Sequence, residues 1–400
     1  MQKASSPPAL TTLYLLAAMS PLTLNMIVPS LANIAEDLQT DYAVISLALG
    51  GFLAVTAFVE LGAGPLSDRI GRRPVLLAAL AVFTLASLGC AVAQTAETFL
   101  AFRMLQAGAV TGYVLSMAIV RDTRDGAEVA GLLGRIGMAM ALAPMVGPML
   151  GSFLDVAFGW RAVFLLYVAA GAALFCLTWF DLGETLRPAS RKDDPKAQRL
   201  ATLLREPVFW CYALCTACSI AAFYVFLAGA PLIATATFGI STATLGVFVG
   251  SITAGFMLGS FLTVRLVRRY GQNPVMLAGR VVACAGLLAG LALLASGAVA
   301  PLLYFGCTIF VGMGNGLTTP NSNAGAMSVR PRLAGSAAGI SGALTLLGGA
   351  AMATVTGVLL SDNPSPEGLL ALMLMVSFAA LLAAAAAIRL DRKGVRRATA

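Results

Sequence analysis

The chain has 400 residues, of which 59% are hydrophobic and 11% are charged. Soluble domains carry roughly 25% charged residues, so this composition excludes a soluble globule and indicates a protein embedded in a lipid bilayer. The net charge of +8 does not indicate a nucleic-acid partner. The basic residues are separated by the side of the membrane and are not clustered with aromatic residues on one face.

Runs of about 20 apolar residues, long enough to cross a bilayer as helices, occur twelve times. The first run is too long for the core of a signal peptide, so we expect it to remain as an uncleaved span. The predicted spans lie near residues 9–30, 43–64, 74–94, 98–120, 131–154, 161–181, 207–235, 243–264, 274–296, 299–320, 335–360 and 367–388.

The distribution of lysine and arginine among the loops predicts which side of the membrane each loop faces. If the N-terminus is cytoplasmic, the loops on the far side contain no lysine or arginine, so both termini are predicted to be cytoplasmic. Residues 183–206 form the only long polar interval, which we interpret as a solvated cytoplasmic linker. The expected fold is an all-α membrane protein with two pseudo-symmetric six-helix bundles, at residues 1–182 and, with a basic tail, 207–400.

The stretch between the second and third spans combines three arginines with a carboxylate. Its pattern is Gly-x-Leu-x-Asp-Arg-x-Gly-Arg-Arg, formed by Gly64, Leu66, Asp68, Arg69, Gly71, Arg72 and Arg73. Glycine and proline interrupt helices, so we expect a tight cytoplasmic hinge that breaks the helix from residue 64 onward. A basic cytoplasmic loop alone explains the arginines but not Asp68 or the glycine spacing. The pattern resembles the signature loop of the major facilitator superfamily of secondary transporters.

A repeat supports two related halves. The residues Gly71, Pro74, Val75, Leu77 and Ala78 recur as Gly271, Pro274, Val275, Leu277 and Ala278. In the second copy Arg268 replaces Asp68, so the carboxylate was either lost or is needed once. Major facilitator proteins are built from parallel repeats of this kind, and the resemblance implies a major facilitator fold that works by alternating access.

The fifth span contains small residues and two prolines, which allow close helix packing and bend the helix. They are Gly134, Ala143, Pro144, Gly147, Pro148 and Gly151. The spacing resembles the helix motif of drug-exporting antiporters in the superfamily, with Ala143 replacing one glycine. Ordinary close packing is the alternative, because glycine pairs with similar spacing occur in other spans.

Three charged residues lie well within predicted spans, where charge is costly and often functional: Glu60, Arg103 and Arg280. Arg103 and Gln106 resemble the family's fourth-helix motif Arg-x-x-Gln-Gly, with Ala107 where glycine is usual. The resemblance implies a role for Arg103 in proton coupling and cavity polarity; snorkelling to the outer surface is the alternative. Arg280 lies nearer the cytoplasm, and we expect it to snorkel.

Glu60 is the candidate proton carrier. It precedes Asp68 by eight residues and so lies about 12 Å further along the same helix. Desolvation there favours the protonated carboxyl. A permanently protonated group or a simple helix–helix hydrogen bond is the alternative. The chain contains no histidine, so any proton relay must use carboxylates and arginines.

Further segments extend the resemblance over nearly the whole chain. They include residues 21–30, 142–144, 160–161, 184–186, 229–231 and 319–321. Together they resemble the Bcr/CflA branch of drug/proton antiporters. That branch usually has aspartate where this chain has Asn25, an amide that does not titrate. Either Glu60 has taken over protonation, or the coupling differs, or transport is not proton-driven.

The resemblance implies a substrate cavity lined by the first, fourth, seventh and tenth spans. The candidate lining residues are Asn25, Met26, Arg103, Tyr113, Met117, Phe223, Tyr224, Phe226 and Asn315. Methionine and aromatic side chains give an adaptable apolar surface, and a few polar groups orient the ligand. Membrane packing is the alternative role for any single aromatic residue.

Three functions remain open from the sequence. The first is a monomeric exporter of lipophilic drugs or related small molecules, in exchange for protons, in the bacterial inner membrane. The second is a carrier for a specific metabolite, as an uptake symporter or uniporter. The third is a non-transporting membrane receptor. No Walker lysine loop, zinc pattern or nucleophile elbow is visible, so we expect no enzyme activity, cofactor or metal.

Overall fold

The computed structural model describes residues 8–124, 127–186, 202–297, 300–330, 333–361 and 363–398. These residues form helices throughout, which confirms the all-α prediction. The helices are α1 (Leu10–Asn25), α2 (Leu31–Asp37), α3 (Tyr42–Ile70), α4 (Arg72–Val92), α5 (Ala96–Leu105), α6 (Val110–Thr123), α7 (Ala127–Phe158), α8 (Arg161–Asp181), α9 (Pro207–Ala236), α10 (Thr242–Tyr270), α11 (Gln272–Ala295), α12 (Pro301–Ser328), α13 (Ala334–Ser361) and α14 (Pro366–Ala398).

Length and hydropathy account for the membrane-spanning elements. Within the described ranges, eleven helical stretches are long and apolar enough to cross a membrane. The predicted fifth span falls in α7, which is 32 residues long and includes the apolar stretch Val146–Phe158. A bilayer offers no hydrogen-bond partners to the backbone, so spanning segments of this composition satisfy their polar groups internally as helices.

The chain divides into two compact units. The first comprises Met1–Ser190 with Ile240–Gly250, and the second comprises Arg191–Gly239 with Ser251–Ala400. In the first unit α1 packs against α6 and α7, and α4 packs against α8. In the second unit α9 packs against α13 and α14, and α11 packs against α12.

The hinge between α3 and α4 is shorter than the sequence suggests. The expected break from Gly64 onward is wrong, because α3 continues through Pro65 to Ile70. Proline removes only its own backbone donor, and the remaining backbone groups keep their helical bonds, including Gly71 N to Ser67 O at 3.0 Å. The break is the single residue Gly71, with a φ of 112°. Its counterpart Gly271, between α10 and α11, has a φ of 80°.

The fourth span is interrupted near its middle. A 3-10 turn at Gln106–Ala109 separates α5 from α6. Short 3-10 segments inside a helix often mark functional positions. The interruption carries Gln106 and directly follows the turn that carries Arg103.

Candidate functional site

Arg103 is the centre of a buried network in the first unit. Its side chain is 0% exposed. The guanidinium donates from Nε to the Ala48 carbonyl at 3.1 Å, from Nη1 to Oε1 of Gln106 at 2.8 Å, and from Nη2 to the Thr23 carbonyl at 2.9 Å. It also lies over the Phe52 ring, 4.2 Å from its centroid. All three guanidinium nitrogens therefore have partners, and the snorkelling alternative for this arginine is wrong.

This network joins several helices. Thr23 belongs to α1 and Ala48 to α3, while Nε2 of Gln106 donates to Oγ of Ser87 on α4 at 2.7 Å. The hydroxyl of Tyr167 on α8 also donates toward the Thr23 carbonyl at 3.3 Å. A buried polar network holds its helices in one arrangement only when its members are satisfied. Arg103 is thus placed to fix the packing of five spans, including its own.

The antiporter-like glycines of α7 and the candidate cavity residues Asn25 and Met26 meet where α1 packs against α7. A side-chain carbon added at Gly147 would lie 3.3 Å from Cβ of Asn25, and one added at Gly151 would lie 3.1 Å from Cα of Met26. Only glycine allows backbones to approach this closely. The antiporter-like motif therefore packs directly against the polar position of the first span.

Asn25 is buried at this contact, with 2% of its surface exposed. Its Nδ2 donates to the Pro21 carbonyl at 2.7 Å, whereas its Oδ1 has no hydrogen-bond partner among the described residues. A buried acceptor without a partner is uncommon and costs free energy. Asn25 therefore offers an acceptor to a ligand donor.

The hinge residues form an ion-paired cluster. Arg72 is only 8% exposed, and its guanidinium lies 2.7 Å from Oδ1 of Asp68 and 3.1 Å from Oδ2 of Asp122. Sequence reasoning did not single out Asp122, although it lies between Arg121 and Arg124 at the predicted cytoplasmic end of the fourth span. One arginine thus links α3, α4 and α6.

Glu184 completes this cluster. Its carboxylate accepts hydrogen bonds from the backbone nitrogens of Arg72 at 2.9 Å, Arg73 at 3.3 Å and Leu186 at 3.0 Å. It therefore caps the N-terminus of α4, where backbone donors are unpaired and a negative charge is favourable. The sequence placed Glu184 in a family-like segment but gave no sign of this contact.

Three other residues of the hinge motif, Gly64, Arg69 and Arg73, have different surroundings from those of the Asp68–Arg72 ion pair. Gly64 is half-buried and Arg69 is exposed. The Arg73 side chain donates from Nη2 to the Trp179 carbonyl at 2.7 Å and lies 5.2 Å from the Trp179 ring centroid. These contacts hold Arg73 against the end of α8, away from the Asp68–Arg72 pair.

The second copy of the hinge uses amides in place of charges. Gln272 occupies the position of Arg72 and donates to the Asn321 carbonyl at 3.0 Å. Asn273 donates to Oδ2 of Asp391 at 3.1 Å and accepts from the Tyr212 hydroxyl at 3.0 Å. Glu184, which follows α8, thus contacts the start of α4, and Asp391, which lies within α14, contacts the start of α11. The repeat keeps the geometry of the hinge but not its charge.

The remaining candidate residues are buried to different extents. Glu60 is half-buried, and no hydrogen bond or ion pair joins it to another described residue. The half-buried cavity candidates are Tyr113, Met117 and Phe223. The buried ones are Met26 (2% exposed), Tyr224 (8%), Phe226 (0%) and Asn315 (2%). Pro144 and Pro148 lie within α7, whereas the contacts of Gly134 lie outside the described residues.

Arg280 does not snorkel, so that expectation is wrong. Its side chain is 0% exposed. Nε donates to Oγ1 of Thr318 at 2.8 Å and Nη2 donates to Oδ1 of Asn315 at 2.8 Å, both on α12. Because polar partners lie beside it, the side chain is retained between helices and does not extend to the membrane surface.

Comparisons with known proteins agree with this architecture. The family model described as Major Facilitator Superfamily matches residues 13–353 and 212–400. Multidrug resistance protein MdtL of Escherichia coli O45:K1 is 31% identical over 82% of this chain and 83% of its own length. Multidrug resistance protein D of Escherichia coli K12 is 28% identical over 92% of this chain and 93% of its own length.

A chloramphenicol resistance protein of Pseudomonas aeruginosa is 33% identical to this chain. The match covers 68% of this chain and 64% of the relative's length. Among solved structures, a bacterial homologue of the human lysosomal transporter Spinster superposes with a TM-score of 0.77 at 17% identity, covering 96% of each chain. A D-xylose–proton symporter superposes with a TM-score of 0.75 at 13% identity, covering 94% of this chain and 96% of its own.

The relatives are bacterial transporters and not enzymes. The membrane-spanning helices and these relatives identify a multi-pass protein of the bacterial inner membrane. The signature hinge, the fold and the match of a family model to most of the chain all lead to one assignment. The chain belongs to the major facilitator superfamily of membrane transporters.

Proposed function

We propose that this transporter exports lipophilic drugs or related small molecules across the inner membrane, in exchange for protons, by alternating access. The names of its multidrug-resistance relatives support drug efflux. We further propose that it works as a monomer with both termini in the cytoplasm. In this proposal residues 1–182 and 207–400 are the two six-helix halves, and residues 183–206 link them.

The observation that carries this proposal is the packing of α7 on α1. An added Cβ at Gly151 would overlap the backbone of Met26, and one at Gly147 would lie 3.3 Å from Cβ of Asn25, which is unusually close. The segment that resembles an antiporter motif is therefore built against a position with a buried, unpaired acceptor, Oδ1 of Asn25. We propose that this acceptor orients the substrate, and that Tyr113, Met117 and Phe223 supply adaptable apolar contacts.

Proton exchange requires a group that titrates, and Asn25 does not. Glu60 is half-buried in α3, and no ion pair with a described residue fixes its charge. We propose that Glu60 binds and releases the coupled proton. Arg103 has every guanidinium nitrogen hydrogen-bonded to the protein. We therefore propose that it holds the surrounding helices in place and contributes its positive charge to the electrostatic potential of this site.

The direct test is proton-coupled transport by the purified protein in lipid vesicles. With an acidic interior, addition of an exported amphiphilic antibiotic should release protons in proportion to protein. The antibiotic should also accumulate only while the pH gradient persists. A susceptibility panel in an efflux-deficient bacterium selects the antibiotics to use.

The outcomes separate the three candidate functions. Proton release with amphiphilic drugs supports the proposal. Uptake of one metabolite without drug transport would favour a specific carrier. A receptor would show neither activity, and its ligand binding would be insensitive to Asp68→Asn, which should slow cycling in any transporter that uses the hinge.

A further inference from the structure

Two arginines among the described residues are fully buried, and they differ in how many of their guanidinium nitrogens have hydrogen-bond partners. Arg103 and Arg280 are both 0% exposed. Each of the three nitrogens of Arg103 has a hydrogen-bond partner. For Arg280, Nε and Nη2 bond to Thr318 and Asn315, but Nη1 has no hydrogen-bond partner among the described residues.

The charge of Arg280 is also uncompensated. Residues 207–361, which include α9 to α13, contain no aspartate or glutamate. Of the acidic residues within α14, Asp391 accepts a hydrogen bond from Nδ2 of Asn273 at 3.1 Å. No carboxylate of the described residues forms an ion pair with this guanidinium.

A buried cation with a free N–H group is unstable unless something supplies an acceptor. Leaving such a group unpaired costs free energy, and the cost is greater when the group is charged. The rest of the site is already built, because Thr318 is held by a bond to the Met276 carbonyl at 3.1 Å. That arrangement fixes the orientation of the guanidinium. The missing partner is therefore an oxygen acceptor, and a negative charge on it would also offset the cation.

We propose that Nη1 of Arg280 binds an anionic oxygen, such as a carboxylate, carried by the transported molecule. This rests on the proposed function, since it assigns the site to a substrate. The anion reaches Arg280 when α11 and α12 separate from their neighbours during the transport cycle. The protein then prefers amphiphiles that carry a carboxylate over the corresponding esters, which lack that negative charge.

The test uses rhodamine 110, which has a free carboxylate, and rhodamine 123, its methyl ester. Their binding to the purified full-length protein in detergent is measured by fluorescence anisotropy. We expect the wild type to bind the acid more tightly than the ester. We expect Arg280→Gln to weaken binding of the acid at least tenfold more than binding of the ester.

Two further variants separate binding from structural damage. Arg280→Lys keeps the charge but not the planar fork, so it should retain part of the preference for the acid. Asn315→Asp places a carboxylate beside the guanidinium in a side chain of the same shape, and should abolish that preference. The thermal unfolding midpoint of each variant is measured without dye.

Three results would overturn the proposal: no preference of the wild type for the acid, absence of binding of both dyes, or equal weakening of both dyes in Arg280→Gln. Proton-driven export of rhodamine 123 by wild-type vesicles is a separate measurement. Its failure would count against proton antiport while leaving the binding comparison intact.

Discussion

The Oε1 atom of Glu184 lies 2.9 Å from the backbone nitrogen of Arg72. The same carboxylate accepts from Arg73 and Leu186, so it caps α4. We expect Glu184→Ala to destabilise the protein by about 1–3 kcal/mol, because it leaves backbone donors without their partner. The thermal unfolding midpoint in detergent and the initial transport rate should both fall.

Two variants control for this change. Glu184→Gln keeps an acceptor but loses the charge that favours a helix N-terminus, so its effect should be intermediate. Glu36→Ala removes an exposed carboxylate on α2 and should leave the unfolding midpoint unchanged. If Glu184→Ala unfolds at the same temperature as the wild type, the capping role is wrong.

The two glycines of the hinge motif should respond differently to alanine. Gly71 has a φ of 112°, and an added Cβ would lie 3.0 Å from Cδ of Glu184. Gly64 lies inside α3, and no described atom is within 4 Å of an added Cβ. We expect Gly71→Ala to destabilise the protein by about 1–2 kcal/mol, and Gly64→Ala to be neutral or stabilising by up to about 1 kcal/mol.

Thermal unfolding of both alanine variants, side by side, checks this prediction. Equal loss of stability would mean that Gly64 has a packing requirement that its position in α3 does not reveal. A more stable Gly71→Ala variant would contradict the assigned backbone conformation.

The fold was largely predictable because the bilayer imposes strong limits on sequence. Long apolar runs locate the spans, and the repeat at Gly71 and Gly271 predicts the two matching hinges. The sequence did not reveal where α3 ends. Proline and glycine signal a break in water, whereas a membrane helix retains its backbone bonds through Gly64 and Pro65.

The site was less predictable, because its contacts join residues that are distant in the chain. Glu184 meets Arg72 across 112 positions, and Asp122 meets it across 50. A sequence pattern carries no direct signal for such pairs. The position of Arg280 nearer the cytoplasmic end of its span suggested snorkelling. That expectation was wrong because its polar partners, Asn315 and Thr318, lie on a neighbouring helix.

Replacement of Arg103 by lysine should not be conservative. Lysine cannot reach the Ala48 carbonyl, Gln106 and the Thr23 carbonyl together, because it lacks the planar fork of arginine. Each hydrogen bond to a charged group that is lost costs about 1.5–3 kcal/mol. We expect Arg103→Lys to lower the unfolding midpoint and to slow transport, and Phe52→Leu, which removes the ring contact and some buried volume but no hydrogen bond of Arg103, to have a smaller effect. Wild-type stability of Arg103→Lys would show that the network does not hold the helices.

The close contact between α1 and α7 predicts a ranking of glycine variants. An added Cβ at Gly151 would overlap the backbone carbonyl group of Met26, whereas one at Gly147 would lie 3.3 Å from Cβ of Asn25. Backbone is harder to displace than a side chain, so Gly151→Ala should reduce stability and transport more than Gly147→Ala. Gly339→Ala, with no described atom within 4 Å of the added carbon, is the matched control. The reverse order of the two α7 variants would contradict the observed packing.

Replacement of Glu60 by glutamine tests the proposed proton site. Glutamine resembles a protonated carboxyl in shape but cannot release a proton. We therefore expect Glu60→Gln to bind drug and to carry it down a concentration gradient, while a pH gradient no longer accelerates transport. Drug-dependent proton release should fall to the level of protein-free vesicles. The control is Glu97→Gln, which changes an exposed carboxylate at the start of α5 and should leave both measurements unchanged. If Glu60→Gln keeps the pH dependence of the wild type, the coupled proton binds elsewhere, and the half-buried position of Glu60 reflects helix packing alone.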